Sequence, residues 1–154
     1  NMDTPTALIF SRQNVKSLPE GTDYQQTRKG AYIVTGSDEQ FDVILVASGS
    51  EVSTCVAGAE LLRKDGVKVR VVSAPSEGLF RRQSKEYQEQ ILPRDAKIFG
   101  LTAGLPVTIE GLVGANGKVF GLNSFGFSAP YTVLDEKLGF TPENVYKQVK
   151  AFLA

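Results

Sequence analysis

The hydrophobic positions of this chain switch between a period of about two residues and a period of three to four. Ala31-Tyr32-Ile33-Val34 and Phe41-Asp42-Val43-Ile44-Leu45-Val46-Ala47 are short β-type runs, the second almost continuously apolar. The turn between them, Gly36-Ser37-Asp38-Glu39, is short enough to predict that the two strands pair antiparallel. Beyond Ser48-Gly49-Ser50, apolar residues at Val52, Cys55, Val56, Ala59 and Leu62 mark one face of a helix over 51–64, which Gly66 stops. Val67–Val72 is a strand again, and a strand, helix and strand in this order predict a parallel pair joined by a right-handed crossover. Glu77–Leu92 has helical character, with Phe80, Tyr87 and Ile91 on one face, and strands follow at Ala96–Leu101 and Lys118–Leu122. Between those strands the glycine-rich stretch 104–117 is irregular, with one turn of helix near Ile109–Val113. Thr141-Pro142-Glu143 is a strong helix start, and Val145, Val149 and Phe152 supply the stripe that this last helix buries.

The pattern from Ala31 onward therefore predicts an α/β fold, a mostly parallel five-stranded mixed sheet with one antiparallel edge strand and helices on both faces. What precedes it reads differently. Val15–Gly30 is polar and aperiodic, a linker containing Pro19 and Gly21. Ahead of it, Ala7-Leu8-Ile9-Phe10 is an apolar β-type run that ends in Ser11-Arg12-Gln13-Asn14. Residues 1–14 are accordingly expected to close a preceding domain, residues 15–30 to link, and residues 31–154 to form the core domain. Asn1 ahead of Met2 is what the remnant of an expression tag leaves. An arginine at a strand end offers a planar fork of donors suited to a phosphate or carboxylate, so Arg12 is a candidate ligand contact, with an ion pair at a domain edge as the alternative.

Composition narrows the chemistry. In 154 residues, 17 Lys and Arg balance 17 Asp and Glu, so no overall field favours nucleic acid or a membrane surface as a partner. No apolar run approaches the roughly 20 residues that cross a bilayer and no signal-peptide pattern is present, which makes a cytoplasmic location the expectation. There is no histidine and only one cysteine, Cys55 on the apolar helix stripe, where a small buried hydrophobe is expected. Without histidine, neither a nucleophile–base pair nor a metal-ligand spacing can be assembled in the usual way, and a self-contained active site is not expected.

Two segments remain as candidates for binding. Ser48, Gly49 and Ser50 lie between a central strand and the amino end of a helix, where free N–H groups favour an anion, although the G-x-G-x-x-G fingerprint and the phosphate-loop lysine are both missing. A capped helix is the plainer reading. Phe125-Gly126-Phe127-Ser128-Ala129-Pro130 follows the last strand, with a proline that can open a helix; it faces a ligand or partner subunit, or else packs its phenylalanines into the core.

Six patterns in order, Ser11-Arg12-Gln13-Asn14, Gly30-Ala31-Tyr32, Ala47-Ser48-Gly49-Ser50-Glu51-Val52, Val69-Arg70-Val71-Val72-Ser73, Phe125-Gly126-Phe127-Ser128-Ala129-Pro130 and Gly139-Phe140-Thr141-Pro142-Glu143-Asn144-Val145, together resemble the C-terminal part of the transketolase family. The resemblance implies a parent enzyme that moves a two-carbon ketol unit between sugar phosphates in the pentose phosphate pathway, as a homodimer using thiamine diphosphate and Mg2+. It places the cofactor, metal and catalytic histidines in the preceding domains, so that none is held by this chain, and gives Arg12 alone a substrate role, gripping the sugar phosphate. Many relatives carry a tryptophan where this chain has Leu105-Pro106-Val107-Thr108-Ile109. A dihydroxyacetone synthase shares the architecture, and an autonomous module binding an anion or nucleotide at Ser50 is the reading from a different class.

Overall fold

The structure, a computed structural model, describes residues 5, 7–11, 13–20, 22–36 and 40–154. A short 3-10 helix, Tyr24–Lys29, leads into strand β1 (Tyr32–Thr35), followed by β2 (Val43–Ala47), α1 (Glu51–Lys64), β3 (Val69–Ser73), α2 (Glu77–Arg81), α3 (Lys85–Ile91), β4 (Ile98–Leu101), α4 (Val107–Val113), β5 (Lys118–Phe120), α5 (Tyr131–Leu138) and α6 (Pro142–Leu153). The five strands form one mixed sheet in the order β1-β3-β2-β4-β5. β2 pairs parallel with β3 on one side and with β4 on the other, β4 pairs parallel with β5, and β1 is the single antiparallel strand, at the edge.

The partner of β1 differs from the expectation. It pairs with β3, Tyr32 opposite Ser73 and Ile33 opposite Val72, and not with the β2 strand that follows it in sequence. Both edges of β2 are already taken by parallel neighbours. The chain instead passes over the start of β3 at Gly36, whose φ of 73° and approach to the Val69 carbonyl, 2.2 Å from where a Cβ would stand, leave room only for glycine.

Because β2 is covered on both faces, all five of its residues are buried and its side chains divide between two cores. Val43, Leu45 and Ala47 pack under α1 and α6 with Cys55, Leu62, Val145 and Val149. Ile44 and Val46 pack under α2, α3 and α4 with Phe80, Ile91, Leu112 and Val113. The fully buried Cys55 takes the structural place its position on the stripe predicts.

The long helical stretch after Pro75 is two helices. Ser84 accepts a hydrogen bond from the Tyr87 N–H through its hydroxyl and starts α3 afresh, as Ser76 does for α2 with Leu79. The stretch 104–117 holds more order than one turn, since α4 covers two and lies close over β4. Gly100 makes this possible, for a Cβ there would stand 2.7 Å from Ile109 Cδ1 and 2.8 Å from Val113 Cγ2. Thr141 caps α6 from its hydroxyl, with Pro142 at the first turn, as the sequence predicts. Residues 7–10, an apolar β-type run in the sequence, join no ladder of this sheet. Among the described residues no helix is long and apolar enough to cross a membrane.

Arg70 is the one charged side chain in the interior of the described residues, 5% exposed. Its guanidinium lies 4.3 Å over the Phe41 ring and donates to the Gln90 carbonyl at 2.9 Å, tying β3 to the end of α3. Burial lowers its pKa from the usual value.

Helices α1 and α6 meet at Gly58, where a Cβ would stand 2.8 Å from Val145 Cγ1 and 3.0 Å from Val145 Cβ. Gly58→Val is therefore expected to wedge the two helices apart and cost about 1–3 kcal/mol. Urea unfolding checks this, with a lower midpoint expected at an unchanged slope.

Candidate functional site

Reversal of the sheet order at β2 opens a crevice at the carboxyl ends of β2 and β4, where α/β folds bind their ligands. β2 delivers Ser48, Gly49 and Ser50 to one wall; β4 delivers Ala103 to the other. Gly49, at φ 63°, turns the chain into α1. Ser50 makes no capping bond with its side chain. Its hydroxyl donates to Glu51 Oε1 at 2.8 Å and accepts from the Ser11 hydroxyl at 3.3 Å. The Ala103 backbone, on the β4 side, favours the charged form of Glu51, whose carboxylate lies between the start of α1 and the end of β4.

A carboxylate thus sits where the sequence leaves room for an added anion. It is stabilised by the helix amino end but partly stripped of water, and burial is the larger effect. Its pKa is raised despite the bonds from Ser50 and Ala103, with the nearby Asp135 pushing the same way. Burial raises Asp135 as well, and raises the Cys55 thiol far from its reactive range, with the charge of Glu51 adding to the effect. Cys55 is unsuited to act as a thiolate.

Residues on either side of Arg12 come to this crevice; Arg12 itself lies outside the described residues. Gln13 and Asn14 border a cavity of about 60 Å³ together with Ser50, Glu51, Tyr131 and Asp135. Ile9 and Phe10 line a larger groove of about 350 Å³ on the other side of Gly49 and Ser50. Phe125 and Phe127 do not enter the core, being 98% and 53% exposed, which removes the packed-loop alternative for their segment. Glu51 and Asp135 are the site residues that reasoning from sequence did not single out. An acid at the first helical position after a Ser-Gly-Ser turn was a usable signal for Glu51; Asp135 had none, because its approach depends on how α5 folds back. Among the described residues no three His, Cys, Asp or Glu side chains cluster to hold a metal ion. The arrangement can fix backbone and orient a neighbouring segment.

With this geometry in hand, the comparisons with known proteins agree with one another. The sequence model of the transketolase-like TK C-terminal domain matches residues 30–141. A transketolase of Staphylococcus epidermidis is 45% identical over 151 residues, which are 96% of this chain and 23% of the relative. Transketolase 2 of Vibrio parahaemolyticus is 43% identical over 154 residues, 99% of this chain and again 23% of the relative. Among solved structures, the transketolase of Pichia stipitis in complex with sedoheptulose 7-phosphate superposes with a TM-score of 0.84 at 32% identity, over 92% of this chain and 20% of that one. This chain spans less than a quarter of the length of the curated relatives it matches. Its mixed five-stranded sheet, its length of matched sequence and its level of identity place it in one group: the chain belongs to the transketolase-like C-terminal domain family.

Proposed function

We propose that this chain is the C-terminal domain of a transketolase that moves a two-carbon ketol unit between sugar phosphates in the pentose phosphate pathway. In this reading the domain serves structure and subunit contact and lends one phosphate-binding residue, Arg12. The observation that carries it is the breadth of the likeness, 45% identity along 96% of the chain to a transketolase. The parent works in the cytoplasm as a homodimer. A dihydroxyacetone synthase differs in its acceptor, a choice made outside this chain.

Thiamine diphosphate and Mg2+ supply the ketol chemistry of such an enzyme, and the residues present here do not fit them. The chain has no histidine and no G-D-G motif, and its described residues form no metal-ligand cluster. Both groups are assigned to the preceding part of the protein. Residues 1–14 then close that part, residues 15–30 link, and residues 31–154 form the terminal domain.

Support for Arg12 comes from its neighbours in the chain. Ser11 bonds to Ser50, and Gln13 and Asn14 border the crevice at the carboxyl ends of the strands. An arginine carries a planar fork of donors suited to a phosphate. An anion held by Ser48, Gly49 and Ser50 is the competing use of this rim, and the Glu51 carboxylate weighs against it by like-charge repulsion.

In the full-length enzyme, Arg12→Ala is expected to lower kcat/KM for phosphorylated substrates by roughly 10- to 150-fold, or about 1.5–3 kcal/mol. A pair of substrates without phosphate, such as hydroxypyruvate and a non-phosphorylated aldehyde, is expected to change little; equal losses would show Arg12 to be structural. The 154-residue chain alone is expected to show no ketol transfer in a coupled assay, even with thiamine diphosphate and magnesium added. Calorimetric titration of the chain with inorganic phosphate is expected to give no micromolar binding, and such binding abolished by Ser50→Asp would establish the anion site instead.

A further inference from the structure

Away from the crevice, the helices that cover the second face of the sheet leave a gap. α2 meets α4 at Gly111, where a Cβ would stand 2.6 Å from Glu77 Oε1, and Arg81 donates to the Gly111 carbonyl while pairing with Glu77 at 3.2 Å. The two helices are pinned there. α3 starts afresh after Ser84 and is not packed along α4. A groove of about 820 Å³ opens between them over the first residue of β4, a volume in the range of small-molecule sites. Its floor is closed by Phe80, Leu92, Ile98 and Leu112, none more than 8% exposed, so an occupant lies on the core without entering it. The groove is otherwise polar, unlike the carboxyl ends of the strands, where Leu105, Val107, Phe125 and Val133 are exposed.

Arg81, Lys85 and Arg94 line this groove together with Glu86, Glu89 and Asp95, yet the two signs are engaged differently. Glu89 is turned to the chain, its Oε1 accepting from the Arg94 N–H at 3.1 Å. Glu86 is held in its charged form by its own backbone and by the Ser84 hydroxyl at the start of α3. Arg81 has Glu77, but neither Lys85 nor Arg94 has an ion-pair partner among the described residues. These two cations are also set apart. α3 has seven residues and is about 10 Å long; Lys85 opens it and Arg94 follows its end, so they mark opposite ends of the groove. Between them lie acceptors, Asp95 and the closing turn of α4, whose last carbonyls have no partner within the helix.

We propose that this groove binds a polyol bisphosphate, with one phosphate held by Lys85 beside Arg81, the other by Arg94, and hydroxyl groups between them donating to Asp95 and the last carbonyls of α4. Each phosphate brings nearly two negative charges to a cation that lacks a partner, and Arg94 offers it a planar fork of donors. A monophosphate satisfies one end only. A nucleotide finds no ring to stack its base on, because Phe80, the one aromatic side chain lining the groove, is 2% exposed. The site is built wholly from α2, α3, α4 and the turn before β4, so the assignment does not depend on which reaction the parent protein performs.

Lysine acetylation of the full-length protein, read residue by residue by mass spectrometry, tests this with fructose 1,6-bisphosphate as the probe. Lys85 is expected to react about tenfold more slowly at saturation, its ammonium being held in a charge-assisted contact. Lys147, on α6 at the other face of the sheet, is expected to react as before. Fructose 6-phosphate, with a single phosphate, is expected to need a roughly tenfold higher concentration for the same protection. Arg94→Ala removes a cation and Ala115→Trp fills the groove; each is expected to raise the half-protecting concentration by about tenfold or more, whereas Arg12→Ala leaves it unchanged. The proposal is overturned if Lys85 is already unreactive without the probe, if the two sugar phosphates protect it equally, if neither protects it, or if protection survives both groove substitutions. Loss of protection in Arg12→Ala would overturn it as well, because the effect would then be relayed from a phosphate bound elsewhere.

Discussion

The position of β2 governs the rest of this molecule. A crossover between parallel strands is right-handed in nearly all proteins, so a chain that moves one way along a sheet and then the other must place its helices on opposite faces. From β2 the chain steps outward to β3 through α1, then returns past β2 to β4 through α2 and α3. α1 therefore covers one face and α2 to α4 the other, β2 is buried on both sides, and the loops that leave β2 and β4 part company at their carboxyl ends. The crevice is a geometric product of this reversal and owes nothing to any one residue.

What fills the crevice is electrostatic. Most folds of this kind leave the helix amino end free for a ligand. Here Glu51 occupies it from within, bonded to the adjacent Ser50 and facing the Ala103 backbone across the gap. Because burial raises its pKa above the ordinary 4.5, the folded state holds the proton more tightly than the unfolded chain does. Ionisation consequently costs stability as pH rises through the interval between those two values, and above it the cost is constant. The Ser50 hydroxyl that bonds Glu51 also accepts from Ser11, so this network reaches the segment ahead of the core domain.

The division of surface into an apolar carboxyl end and a polar amino end complements this arrangement. Polar groups at the amino end bond one another across elements, as Asp65 does with both Tyr146 and Lys150 near the end of α1. They finish the domain against water. Nothing comparable finishes α5 or the loop before it, and a helix with no fully buried residue contributes little to the stability of the domain that carries it.

Local pattern in the sequence determined the elements and the class of fold. Period and capping residues marked α1 over Glu51–Lys64 and the start of α6 at Thr141, because a helix stripe and an N-cap are written within a few residues. Ser84 could have been read as a second cap, yet an unbroken apolar stripe through Phe80, Tyr87 and Ile91 concealed the break. Only the tertiary structure decided which strand β1 joins, since pairing depends on which edge is still free once β3 and β4 have taken both sides of β2. It also decided the site. Ser11, Ser50, Ala103 and Asp135 are far apart in the chain, and their meeting at Glu51 follows from the reversal of strand order, a relation between distant segments that no local spacing encodes.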